Sequence, residues 1–337
     1  MTYFGLRLRN GAGSGQLDYN GIISKFAEKK VIVIGDVMID EYVIGDAERI
    51  SPEAPVPVII AKERKFALGG AANTANNIAS LGAKAVLCGV MGKVNSDSSA
   101  ILMKLLVERK ITDLCVVDEN RETARKTRII ARQQQMLRID AEETAEIPAS
   151  VEKKLIAGFA AEIKDADAVV ISDYAKGTLT QKVSREIMRI AKNNGKITCV
   201  DSKNFSQYRN ATIIKPNKKE LEKETGKKCS SVKDCEEAAL LLFKKARPKA
   251  LLATFGAEGM LLFDGKKALH IESRAAEVFD VSGAGDTVIA TAALSLSSGA
   301  TMQQAAEIAN FAASVVIRKL GTATLSTDEL AEAIRNG

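Results

Sequence analysis

From residue 31 onward, short apolar runs rich in β-branched residues alternate with segments of helical periodicity. This alternation confines the chain to a mainly parallel sheet covered by helices on both faces, an α/β class. The apolar runs fall at 31–34, 85–90, 168–171, 197–200, 212–214, 250–253 and 259–263. Amphipathic segments lie between them at about 98–109, 151–163, 180–193, 217–225 and 234–245, and 285–335 is mostly helical. With 337 residues, 46% of them hydrophobic, the chain can build one large α/β domain with insertions or two modest ones. No internal repeat of solenoid period interrupts the pattern.

Three stretches depart from it. Residues 1–20, with Gly5, Gly11, Gly13 and Gly15, read as a flexible extension and leave 21–337 as the folded domain. Residues 41–66 are too proline-rich for helix, and 114–139 hold strand-like pieces at 127–131 and 136–139. Both read as strands inserted outside the main sheet, although long surface loops satisfy the same pattern.

Composition removes several functions. The net charge of +6 is mild and scattered, whereas a nucleic-acid binder concentrates its basic residues in a stripe. The lysines between Lys215 and Lys228 are interleaved with Glu220, Glu222 and Glu224, the pattern of a solvated helix face. A single histidine, His270, rules against a histidine-rich metal site or a Ser-His-Asp triad. The five cysteines form no C-x-x-C pair, and Cys88 and Cys199 sit in apolar runs, which fits a reducing cytoplasm. No apolar stretch reaches the roughly 20 residues of a membrane span, and the amino terminus lacks the apolar core of a secretory signal.

The chemistry concentrates in two glycine-containing segments. Near the carboxyl end stands Val278-Phe279-Asp280-Val281-Ser282-Gly283-Ala284-Gly285-Asp286-Thr287, followed by an apolar helical run. Glycines at a helix start let backbone N–H groups converge on an anion, and the helix dipole adds positive character there. Asp286 in the first turn puts a carboxylate beside that cradle, the pairing needed to take a proton from a hydroxyl attacking a phosphoryl group. Alone, the segment reads more readily as a turn whose acid complements the helix dipole. It is matched upstream by Leu68-Gly69-Gly70-Ala71-Ala72-Asn73-Thr74-Ala75-Asn76-Asn77, a second Gly-Gly turn opening a small-residue helix.

Together the two segments resemble the paired signatures of the ribokinase-type (PfkB) carbohydrate kinases, over nearly the whole chain from Val31. The segments Arg49 to Val58, Gln133 to Arg138 and Ser172-Asp173-Tyr174-Ala175-Lys176-Gly177 are similar to the branch that phosphorylates the anomeric hydroxyl of D-glycero-β-D-manno-heptose 7-phosphate. The product of that branch is the 1,7-bisphosphate, a precursor of ADP-heptose for lipopolysaccharide cores. The resemblance implies a ribokinase-like three-layer fold, a small β lid formed by the two insertions, ATP and Mg2+ as cofactors, and a homodimer clasped through the lids. The rival within the class is a kinase for another sugar phosphate, of the fructose 1-phosphate or tagatose 6-phosphate type. A regulatory module that kept the fold and lost turnover is the rival outside it. Related enzymes often carry a fused adenylyltransferase with a histidine-rich motif. With only His270, that activity is expected on a separate partner or on a longer natural polypeptide.

Site residues follow from the residues and the resemblance together. Asp286 is the expected catalytic base, with the N–H groups of Gly283, Ala284 and Gly285 stabilising the transferring oxygens, while Asp280 braces the loop. Asp36 and Asp40, at the end of strand 31–34, are expected either to accept sugar hydroxyls or to cap local turns. Gly69, Gly70 and Asn73 would close the floor of that pocket. Arg138, Lys176 and Arg49 are the candidates for gripping the substrate phosphate, and Arg128 and Arg132 are weaker ones. For the nucleotide, the resemblance points to Asn217 and Glu220, the latter reaching the metal through water, although Asn217 also reads as a plain N-cap. Thr254, Gly256 and Gly259 are expected along the ribose and phosphates, Lys203 and Asp201 beside them, and Asn310 at the adenine.

Overall fold

The computed structural model describes residues 18–132, 134–274 and 279–336. In chain order its strands are β1 (Lys30–Gly35), β2 (Val37–Ile50), β3 (Pro57–Gly70), β4 (Lys84–Met91), β5 (Thr112–Asp113), β6 (Val116–Val117), β7 (Ala124–Ala131), β8 (Gln134–Ala141), β9 (Ala168–Asp173), β10 (Ile197–Ser202), β11 (Ile213–Ile214), β12 (Ala250–Thr254), β13 (Met260–Phe263) and β14 (Ala268–Ile271). The helices are α1 (Tyr19–Ile23), α2 (Ala71–Ser80), α3 (Asp97–Glu108), α4 (Ala149–Glu162), α5 (Gln181–Asn193), α6 (Lys218–Thr225), α7 (Val232–Ala246), α8 (Ala284–Ser297), α9 (Met302–Val316) and α10 (Thr327–Asn336).

The main sheet runs β14-β13-β12-β11-β10-β9-β1-β4-β5, with β6 on β4. It is parallel except where β13 pairs antiparallel with β12 and β14. Strand β1 explains the layering. Its side chains alternate faces, so Val31 and Val33 enter a core with α2, α3, α8 and α9, while Ile32 and Ile34 enter a second core with α4, α5 and α7. All four are fully buried, each contributing about 1.5–3 kcal/mol, which fixes β1 at the middle of the sheet. On either side of β1 lie β4 and β9, reached in opposite directions along the sheet, and such a reversal opens a crevice at the strands' carboxyl ends.

The second sheet, β3-β2-β7-β8, is the lid. Strands β2 and β3 pair antiparallel along their length, and β7 joins β2 in parallel. Residues 37–42 of β2 are buried at the base, whereas Glu48, Arg49 and Ile50 at the far end are exposed. The lid is longer than the insertions expected at 41–66 and 114–139, because its strands begin at Val37 and close at Ala141. Conversely, 114–123 is not lid, since Val116 and Val117 pair with Val90 and Met91 of the main sheet. The domain also starts before residue 21. Asp18 caps α1, and the hydroxyl of Tyr19 donates to Glu307 on α9, while residues 1–17 lie outside the described residues.

One side chain fastens the crevice. Asp36, between β1 and β2, accepts the backbone N–H groups of Tyr174 (2.8 Å), Lys176 (3.1 Å) and Thr178 (3.2 Å) from the loop after β9. Asp36 thus braces that loop, with two of the donors on Oδ2 and one on Oδ1. Burial lifts its carboxyl above the ordinary value, and the three N–H groups work against that rise. Asp36→Ala would leave three backbone donors with no acceptor, at a cost of about 2 kcal/mol or more. Urea unfolding at neutral pH is therefore expected to show a clear loss of stability, and a wild-type midpoint would contradict the brace.

Candidate active site

The helix α8 begins at the second glycine segment. Gly283 is its N-cap with φ 78°, a left-handed conformation, and a Cβ there would stand 2.9 Å from Nδ2 of Asn73. At Gly285 a Cβ would stand 3.2 Å from Nζ of Lys215. The two glycines thus admit side chains from α2 and from the loop after β11 to the start of α8. Gly285 and Asp286 lie in the first turn, where a helix supplies no intrahelical acceptor for the N–H groups. The N–H of Ala284 instead closes a turn on the carbonyl of Val281 at 3.3 Å, so of the three expected cradle donors it is already engaged. Asp280 accepts from the N–H groups of Ser282 (2.8 Å) and Gly321 (2.9 Å), the bracing role expected of it. Val278 of this segment lies outside the described residues.

Asp286 is buried and held by three donors: Asn73 Nδ2 to Oδ2 at 2.7 Å, Tyr174 OH to Oδ1 at 2.7 Å and Thr74 Oγ1 to Oδ1 at 3.2 Å. Burial raises its carboxyl from the ordinary value to about 6, opposed by the hydrogen bonds from Tyr174 and Asn73 and by Lys215. A carboxylate tuned to that range is ionised at neutral pH and still able to hold a proton, as a general base requires. Thr287, next in α8, donates to Oδ1 of Asn77 on α2 at 2.8 Å, which fixes the two helices together beside the carboxylate.

A cavity of about 740 Å3 opens on one side of Asp286. All seven residues expected to bind nucleotide line it: Asn217, Glu220, Thr254, Gly256, Gly259, Lys203 and Asn310. So do Gly283, Ala284, Gly285 and Asp286. Asn217 and Glu220 form a capping box at α6, and Glu220 is also the ion-pair partner of Lys203. Asn310 donates to the carbonyl of Glu272 at 2.8 Å, closing the end of the cavity near Ala313 and Ile317. Lys215 is buried within the wall, 2.9 Å from Asp201. Burial alone would lower its ammonium, but the Asp201 and Glu220 carboxylates lift it above the ordinary value, so it stays charged.

The residues expected to bind sugar lie on the lid side of Asp286. Gly69 and Gly70 close β3 against the start of β2, close enough that a Cβ on Gly69 would stand 2.9 Å from Oδ2 of Asp40. Asp40 bonds Arg128 of β7 at 2.5 Å, and the guanidinium also lies over the ring of Tyr42. Arg138 pairs in register opposite Arg128 and holds Asp140 at 2.8 Å. Lys176 holds Glu142 at 2.5 Å, and Lys126 joins Asp140 and Glu142. Arg49 and Arg132 are not brought here. They line a separate cavity of about 320 Å3 at the far end of the lid, because β2 carries Arg49 nine positions beyond Asp40. Gln133 lies outside the described residues.

Four contributors had no assigned role or only a weak one from the sequence: Thr74, Tyr174, Lys215 and Arg128. Thr74 follows Asn73 in a run of amides, and Arg128 alternates with apolar positions, so both carried a faint signal. Tyr174 and Lys215 looked like ordinary strand-end residues, since their partners at 286 and 201 are not neighbours in sequence. Among the described residues no group of three or more His, Cys, Asp or Glu side chains is poised as a metal site, and no helix is long and apolar enough to cross a membrane.

Known proteins resemble this chain in both sequence and fold. The pattern of the pfkB family carbohydrate kinases matches residues 28–329. The bifunctional protein HldE of Desulfatibacillum aliphaticivorans is 43% identical over 311 residues, 91% of this chain and 63% of that protein. HldE of Caulobacter vibrioides is 44% identical over 310 residues, 90% and 63% of the respective chains. The chain therefore spans less than two thirds of these relatives. Phosphofructokinase-2 of Escherichia coli in complex with potassium superposes with a TM-score of 0.76 at 18% identity, covering 91% of this chain and 98% of that one. Arabidopsis thaliana ribokinase complexed with ribose and ATP gives 0.72 at 19%, covering 91% and 99%, so the three-layer fold with its lid is ribokinase-like. With the family pattern covering 28–329 and relatives above 40% identity along nine tenths of its length, the chain belongs to the pfkB carbohydrate kinases.

Proposed function

We propose that this kinase transfers the γ-phosphoryl group of ATP to the anomeric hydroxyl of D-glycero-β-D-manno-heptose 7-phosphate, yielding the 1,7-bisphosphate for lipopolysaccharide core synthesis in the cytoplasm. The observation that carries the reaction is the position of Asp286, between the nucleotide cavity and the floor of the lid. The sugar assignment is supported by the 43–44% identity to the two HldE proteins. It is supported also by the cations near Asp40: Arg128, Arg138, Lys126 and Lys176 match a substrate phosphate dianion, and each now holds a carboxylate that the phosphate would displace or share.

In the reaction the hydroxyl oxygen bonds to the γ-phosphorus, the bond to the β–γ bridging oxygen breaks, and ADP leaves with that electron pair. Asp286 takes the hydroxyl proton. The N–H groups at the start of α8 and the ammonium of Lys215 stabilise charge on the migrating oxygens. Around the cavity the carboxylates of Asp173, Asp201, Glu220 and Asp286 balance the ammonium groups of Lys203, Lys215, Lys218 and Lys219, so the side chains leave no surplus positive charge to neutralise a polyphosphate. That donor set suits Mg2+, which binds through one or two carboxylates and keeps its waters. Glu220 and Asp201 would hold it, and it would screen the phosphate charge. Self-association through the lids is part of the proposal, supported by exposed Ile50, Ile60, Leu137 and Ile139 on the lid strands.

Asp286→Asn is expected to lower kcat by about 10³-fold while calorimetric ATP affinity stays within about threefold; a fully active variant would remove the base assignment. For the wild type, kcat should fall as pH drops through about 6, where Asp286 gains its proton, and a rate flat down to pH 5 would contradict the raised carboxyl. Lys215→Met should cost about 10²-fold in kcat with little change in sugar KM, and an unchanged kcat would exclude Lys215 from charge stabilisation. With coupled ADP detection, heptose 7-phosphate is expected to be the preferred acceptor in a panel of sugar phosphates. Turnover of fructose 1-phosphate without heptose 7-phosphate would overturn the sugar assignment.

A further inference from the structure

The loop after β9 does more than support the crevice. Asp36 holds the backbone N–H of Tyr174 at 2.8 Å, and the same residue's hydroxyl donates to Oδ1 of Asp286 at 2.7 Å. Its ring lies under Nζ of Lys203 at 5.7 Å, and its wall of the nucleotide cavity faces Asp201. The loop is rigid by construction. Ala175 stands at φ 57° with its N–H on Asp173, and a Cβ on Gly177 would fall 1.9 Å from the carbonyl of Ala145. The Tyr174 hydroxyl is therefore delivered to one place.

A carboxylate oxygen has two lone-pair directions in its plane. Oδ1 of Asp286 receives two donors, Tyr174 and Thr74, whereas Oδ2 receives Asn73 alone. We infer that Tyr174 is a positioning residue that, with Thr74, occupies Oδ1 of Asp286 and so assigns proton transfer to Oδ2, the oxygen with a lone pair left for the sugar hydroxyl. This rests on the reading of Asp286 as the base. It also gives Asp36 a function at one remove, since its grip on the loop sets the reach of the Tyr174 hydroxyl.

The consequence is visible in a pH profile. The groups facing Asp286 are Tyr174 from the loop after β9, Asp201 from β10, Lys215 from the loop after β11, and the neutral Asn73 and Thr74 from α2. Beyond Tyr174 stand Lys203 and, on the lid side, Asp40. Tyr174 and Lys215 favour the ionised carboxylate, while burial and Asp201 oppose it. Removing the Tyr174 hydroxyl takes away one favourable contact, so the carboxyl rises further.

The test compares kcat against pH for wild type, Tyr174→Phe, Thr74→Val and Asp286→Asn, with KM for ATP and sugar phosphate measured at each pH. For Tyr174→Phe the acidic limb is expected to move up by about one pH unit, with kcat falling about twofold at pH 7 and about tenfold at pH 5, and both KM values nearly unchanged. Thr74→Val should move it the same way by less, as its 3.2 Å bond is the longer. If Asp286→Asn is inactive but the Tyr174→Phe limb overlays wild type, the positioning role is wrong and the base stands. A lowered sugar KM with an unmoved limb would also overturn it, because the hydroxyl would then be a competitor of the substrate. If Asp286→Asn stays active, the base reading itself fails.

Discussion

The structure depends on the docking of α2 against α8. Both helices are built of small residues, and both start at glycines, so their first turns approach closely enough for side chains to bond across the gap. Asn73 and Thr74 reach Asp286, and Thr287 reaches Asn77. These bonds are made where water is excluded, so each unmade partner would cost more than it does at a surface. The same seam brings the amino end of α8, with its positive dipole, to the carboxyl edge of the sheet.

Burial has two effects on Asp286. It opposes the charge and moves the carboxyl toward the pH range where proton transfer is useful, while the surrounding donors keep it from becoming a permanently neutral acid. A surface aspartate would be too weak a base. Without the donors from α2 and from the loop after β9, it would hold its proton too long.

Much of this was legible in the sequence, for local reasons. The runs at 31–34, 85–90, 168–171 and 197–200 became β1, β4, β9 and β10 because strands buried on both faces have to be continuously apolar. The glycine segments announced their helices, and the residues expected to bind nucleotide line one cavity, with Asn310 reaching it from α9. What escaped notice was set by distance along the chain. Asn73 and Asp286 are 213 positions apart, and Tyr174 and Asp286 are 112 apart, so no periodicity couples them. The bracing role of Asp36 left no local signal, because a carboxylate at a strand end looks alike whether it faces a ligand or an adjacent loop's N–H groups. The extent of the lid was underestimated at 37–40 because the buried base of β2 reads as core, and overestimated at 114–123 because two-residue strands leave no pattern.

Catalysis on this reading requires the Asp286 carboxylate to face the attacking hydroxyl at the point where the α8 amides meet the migrating phosphoryl group. The most direct measurement is a crystal structure of the protein with heptose 7-phosphate and a non-hydrolysable ATP analogue. The anomeric oxygen is expected at about 2.6–3.2 Å from Oδ2 of Asp286 and about 3–3.5 Å from the γ-phosphorus. An anomeric oxygen bonded elsewhere, with Asp286 still enclosed by its three donors and out of reach, would contradict it.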